Sequence, residues 1–106
     1  NDYQQQSRDT ARSPDVGNNL IYPTLGLTGE AGEVADKVKK LIRDRGGVVD
    51  ERFTEDVALE LGDVLWYVAQ LATELGLSLE QVAAANLSKL RSRSQRGTLQ
   101  GEGDHR

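Results

Sequence analysis

Four carboxylates stand in two matched pairs. Glu30-Ala-Gly-Glu33 and Glu60-Leu-Gly-Asp63 each set two acids three residues apart, with glycine just before the second. Residues at i and i+3 are neighbours on a helix surface, so each pair can offer two carboxylates on one side of a helix. Two such pairs on facing helices bring four carboxylates to one spot. Charges gathered in this way repel and resist desolvation. They coexist only when protonated, paired with cations or bound to metal. An all-oxygen donor set fits a hard cation such as Mg²⁺ or Mn²⁺. Zinc or a di-iron centre would want histidine, and the one histidine, His105, lies in the tail. The bland explanation is a solvated helix edge. It suffices for either pair alone, and Glu33 with Lys37 would then be an ordinary i,i+4 pair. Matched placement on two helices weighs against it.

The elements that must hold these acids follow from periodicity. Ala31, Val34, Ala35, Val38, Leu41 and Ile42 recur at helical spacing. That helix is expected to begin between Leu20 and Thr28 and to stop before Gly46-Gly47, with Pro23 in its first turn. At 100° per residue, Glu30 and Glu33 fall at the border of the apolar arc, with Lys37 near them. A loop from Asp44 to Phe53 leads to Thr54 as N-cap. The next helix carries Val57, Leu61, Val64, Leu65, Val68, Leu71, Ala72 and Leu75, and Gly76 ends it. Glu60 lies close to its apolar arc and Asp63 just outside. Ser78 and Gln81 form a capping-box pattern for another helix, bearing Leu79, Val82, Ala83, Leu87 and Leu90. A short helix within Tyr3–Arg12 is compatible with the opening residues. Gly26, Gly29 and Gly32 are spaced by three: either something approaches closely there, or some of them precede the helix. No strand alternation is visible. The expectation is a single all-α domain over 1–106, a helical bundle with three main helices whose core and site are completed by oligomerisation. Residues 94–106, rich in glycine and charge, are expected to be a flexible or substrate-ordered tail.

Composition bounds the function. The chain has 106 residues, 37% hydrophobic and 28% charged, with net charge −4. The acidic balance argues against binding of a nucleic-acid polymer. Absence of cysteine excludes disulfides and thiolate chemistry. No apolar run approaches the roughly 20 residues of a membrane span, and no secretory signal is visible. A cytoplasmic location and no membrane partner are expected.

The segment Leu25–Lys40 resembles the first motif of MazG-like nucleotide pyrophosphohydrolases, within the all-α NTP pyrophosphatase superfamily. Glu60-Leu-Gly-Asp-Val-Leu-Trp-Tyr67 resembles the second motif, and Asn86-Leu-Ser-Lys89 the third. The stretch from Arg96 resembles the ending of a small subgroup. One departure stands out: the family pattern opens with two adjacent glutamates, and Gly29 occupies the first of those positions.

The resemblance implies hydrolysis of a nucleoside triphosphate to the monophosphate and pyrophosphate. It implies Mg²⁺ held by Glu30, Glu33, Glu60 and Asp63, with Mn²⁺ as a substitute. Among these acids Glu33 is the choice for orienting the attacking water. Lys37, Asn86, Lys89, Arg93 and Arg96 are candidate substrate contacts, with solvation or a helix C-terminus as the ordinary role for the cations. Trp66 either stacks on a base or packs in the core. Family members are commonly dimers or tetramers, so a homodimer or homotetramer is expected. The alternatives are a phosphoribosyl-ATP pyrophosphohydrolase-like enzyme and a non-catalytic metal-binding dimerisation module.

Overall fold

A computed structural model describes residues 2–12 and 16–96, and among these it contains four helices and no strand. They are α1 (Asp2–Arg8), α2 (Ile21–Arg45), α3 (Glu51–Glu74) and α4 (Leu79–Arg96). Local chemistry sets the bounds of α2, α3 and α4. Asn19 opens α2, its Oδ1 accepting the Ile21 and Tyr22 N–H groups at 2.9 and 3.0 Å. The third residue of α2, Pro23, has no N–H to satisfy. Gly46 closes α2 in the left-handed conformation with φ 65°, and Gly47 N–H bonds the Leu41 carbonyl at 3.0 Å.

The next cap differs from the sequence expectation. Helix α3 starts at Glu51, with Asp50 as its N-cap, so Thr54 is not the cap. Asp50 Oδ1 accepts the Phe53 N–H at 2.8 Å, while the Thr54 hydroxyl donates to the Asp50 carbonyl. Aspartate is the stronger cap, and the earlier start buries Phe53. Gly76 follows the end of α3 with φ 71°. Ser78 then accepts the Gln81 N–H at 3.3 Å to start α4.

Helices α2 and α3 form an antiparallel hairpin, and α1 lies against α3. The hairpin core is small: Leu41, Phe53, Ala69 and Ala72 are buried. Many large apolar side chains remain uncovered, Ile42 at 67%, Leu59 at 72% and Leu87 at 51% exposure among them. Helix α4 packs only slightly on α3. It continues to Arg96, so residues 94 to 96 of the expected tail are helical. The rest of that tail, with His105, and the Arg96 side chain fall outside the described residues.

Helix α1 is held by a polar seam. Gln4 donates to Thr73 Oγ1 and to the Leu77 carbonyl, and accepts the Leu79 N–H. Gln70 donates to Ser7 Oγ, and Arg8 bonds both Gln70 and Glu74. Glu74 also accepts the Gly17 and Asn19 N–H groups, both at 2.8 Å.

Candidate active site

The α2–α3 hairpin brings three of the four paired acids together. Carboxylate oxygens of Glu30, Glu60 and Asp63 lie within 4.8 Å of one another. Glu30 and Glu60 are half-buried and Asp63 is exposed. The fourth acid, Glu33, is exposed and stands outside this group. Three residues on from Glu30, it is one turn nearer the hairpin loop, and its charge acts on Glu30 and on Lys40.

The environment of Glu30 records the crowding. Partial desolvation, and then Asp63, a side-chain hydrogen bond with Glu60, and the charges of Glu60 and Glu33, hold its pKa above the ordinary carboxylate value. A third carboxylate in such a group is tolerated only by keeping a proton or gaining a cation. Lys37 supplies part of the compensation. It pairs with Glu60 across the hairpin at 3.8 Å rather than with Glu33 along its own helix.

Toward the chain termini, the acids give way to aromatic rings. Tyr67 lies four residues beyond Asp63 on α3 and meets Trp66 edge-to-face, with ring centroids 5.0 Å apart. Desolvation, followed by Tyr22, Glu30 and Asp63, raises the Tyr67 pKa. Trp66 is fixed from behind by its Nε1–H, which donates to Thr10 Oγ1 at 2.8 Å. The Tyr67 ring also fills the space beside Gly26, where a Cβ would meet it at 2.6 Å or less. All three spaced glycines are inside α2, so the reading in which some precede the helix does not hold. Close approach holds for Gly26, while Gly29 and Gly32 face open space.

The remaining sequence candidates are on α4. Asn86 is exposed, and with Lys89 it lines a cleft of about 510 Å³ that also includes Leu77, Gln81, Val82 and Ala85. Arg93 is buried, at 2% exposure. Sequence reasoning missed the Gln4–Ser7–Arg8 seam and its partners Gln70, Thr73 and Glu74. Its only trace is polar residues at helical spacing in α1.

Helical architecture and a carboxylate group on a two-helix seam define the class: an all-α protein with an acidic interhelical seam. The comparisons narrow the class. The sequence profile of the MazG nucleotide pyrophosphohydrolase domain matches residues 22–98, and the chain belongs to that family. It is 50% identical to the Gene 37 protein of Mycobacterium phage L5 over 109 residues, covering 98% of this chain and 96% of the relative. No solved structure matches it. The family generally depends on divalent metal and acts on nucleotides. Among the described residues, no helix is long and apolar enough to cross a membrane.

Proposed function

We propose that the chain hydrolyses a nucleoside triphosphate, ribo- or deoxyribo-, to the monophosphate and inorganic pyrophosphate in the cytoplasm. The observation that carries this reading is the convergence of Glu30, Glu60 and Asp63 on the α2–α3 seam, inside the family match. The donor set fits Mg²⁺, with Mn²⁺ as a substitute, because every candidate ligand atom is a carboxylate oxygen, and desolvation together with the neighbouring acids makes the ionised Glu30 costly until a cation compensates it. Mg²⁺ at these three acids would offset charge on the phosphate oxygens and the leaving pyrophosphate, and would favour ionisation of the attacking water.

The protein's own groups do the rest. Glu33, exposed beside the three, orients a water toward the α-phosphorus and accepts its proton. As the new P–O bond forms, the bond to the bridging oxygen breaks, and its electrons leave with pyrophosphate. Lys37 meets phosphate charge, Asn86 and Lys89 contact substrate oxygens, and the Trp66–Tyr67 pair walls the nucleoside end. A second copy of the chain covers the apolar surface of the hairpin and α4, giving a homodimer or a tetramer. A monomer by light scattering at micromolar concentration would remove that part.

The deciding experiment is pyrophosphate release from the standard ribo- and deoxyribonucleoside triphosphates with Mg²⁺, Mn²⁺ or EDTA. Release that requires metal and leaves a monophosphate supports the proposal. No release from any of them overturns it, and phosphoribosyl-ATP is then the next substrate to test. Metal binding without turnover of either would make the chain a non-catalytic module.

A further inference from the structure

Two acids and two bases share one stripe of α2. Glu30, Glu33, Lys37 and Lys40 follow one another at intervals of three or four, so they lie along one face. Phe53, Asp56, Glu60 and Asp63 form the facing stripe on α3. The seam between the helices is therefore ordered along its length. Aromatic rings stand at the Tyr67 end, carboxylates in the middle, and cations at the hairpin-loop end.

The cationic end is a cleft. Lys37, Lys40 and Arg45 line it together with Leu41, Phe53 and Asp56, around a volume of about 160 Å³. Its link to the acid group is direct, since Lys37 lines the cleft and also pairs with Glu60. Three cations and one carboxylate line the cleft itself, and the carboxylates that pair with those cations, Glu60, Asp36 and Asp50, are not among its lining residues. A pocket for a drug-sized ligand usually has roughly 300–1,000 Å³, so the volume suits a small inorganic anion better than a nucleoside.

The cations have carboxylate partners at present. Lys40 pairs with Asp36 at 2.7 Å and Arg45 with Asp50 at 3.0 Å. Both side chains are largely exposed, and exposed pairs contribute little. A multiply charged anion exchanges for those partners at small cost, gaining charge-assisted hydrogen bonds from lysine and arginine. Stabilisation of the α2 C-terminus accounts for Arg45. It does not account for Lys37 and Lys40, which stand further inside the helix and close the cleft.

We propose that this cleft is the subsite for the β,γ-diphosphate of the substrate and for the departing pyrophosphate. The nucleotide then lies in one sense along the seam: nucleoside toward Tyr67, α-phosphate at the acids, diphosphate toward the hairpin loop. The proposal deepens the pyrophosphohydrolase reading and rests on it.

The test is product inhibition in wild type and in the double variant Lys40→Gln/Arg45→Gln, whose circular dichroism establishes that it folds. The expected result is an inhibition constant for pyrophosphate raised about tenfold or more, with that for the nucleoside monophosphate unchanged. Active wild type with no change for pyrophosphate, or with equal weakening of both products, overturns the subsite and leaves the enzymatic reading intact. Inactive wild type removes the enzymatic reading instead. The cleft is then decided by titrating pyrophosphate in EDTA onto ¹⁵N-labelled protein. Amide shifts at Lys40, Leu41 and Phe53 that vanish in the double variant keep it as a diphosphate site. No shift at those residues overturns it.

Discussion

Replacing Gly26 with alanine puts a methyl group where the Tyr67 ring lies. The added Cβ would sit 2.6 Å from Cδ1 and nearer still to Cε1 and Cζ. Carbon atoms are comfortable at roughly 3.5–4.0 Å, so the ring must retreat by about 1 Å. It has little freedom to do so, because it meets Trp66 edge-to-face at 5.0 Å and Trp66 is tied to Thr10. Overpacking of this kind costs about 1–3 kcal/mol. Alanine returns about 1 kcal/mol of helix propensity, leaving Gly26→Ala between neutral and about 2 kcal/mol destabilised. Gly29→Ala and Gly32→Ala receive the same propensity gain in open space and are stabilised by up to about 1 kcal/mol. The propensity term cancels between variants, so Gly26→Ala falls about 1–3 kcal/mol below its neighbours. In a chain of this size that separates melting temperatures by roughly 4–8 °C per kcal/mol. Urea and thermal denaturation followed by circular dichroism measure it. Equal stabilisation of all three variants would refute the close approach, and with it the placement of Tyr67 against α2.

Two further outcomes follow from the hairpin. Glu60→Ala removes one of the three converging acids and the partner of Lys37. It should lower metal-dependent pyrophosphate release by roughly 100-fold or more, since even outer-shell partners are worth about 10–100-fold; undiminished release would disprove the carboxylate mechanism. Asp50→Ala should cost about 1 kcal/mol through the lost N-cap, read as a lower urea midpoint, whereas Thr54→Val should leave the α3 cap intact.

The legible part of this protein was its apolar periodicity and its breakers. Leu41 and Ala72 sit on expected faces, and Gly46 and Gly76 end helices where their freedom to adopt positive φ is needed. Three of the paired acids meet because border positions on two helices face each other once the helices pack. Glu33 does not join them, although its spacing from Glu30 equals that of Asp63 from Glu60, so spacing alone could not tell which acids meet. Asp50 was overlooked as a cap because Thr54 precedes two acids and makes an equally plausible local start; burial of Phe53 decides between them. The α1 seam was hidden for a different reason. Its buried face is made of Gln4 and Ser7, paired with Gln70 and Thr73. A hydrophobic pattern cannot report a contact whose matched donors and acceptors become visible only after folding.

Two carboxylates give acid titrations of opposite sign. Arg8 first, then the Asn19 and Gly17 N–H groups, hold the Glu74 pKa below its ordinary 4.5. Its contribution to stability is present above that value and is lost as pH falls through its lowered folded pKa. Glu30 behaves inversely, because its folded pKa is raised. The folded protein carries a penalty above that pKa, and the penalty disappears as pH falls below the unfolded value. In EDTA, therefore, Glu30→Gln should be more stable than wild type at neutral pH, and the advantage should fade on acidification. Mg²⁺ held by Glu30, as proposed, would reverse the Glu30 effect, since a ligand must stay ionised and protons then compete with the ion. Added Mg²⁺ should raise the wild-type melting temperature at neutral pH, with the gain vanishing on acidification. It should raise that of Glu30→Gln far less. A Mg²⁺ effect equal in the two proteins, or constant down to acid pH, would place the ion somewhere other than beside Glu30. The sign of the Glu30 effect with and without Mg²⁺ thus tests the metal assignment independently of any substrate.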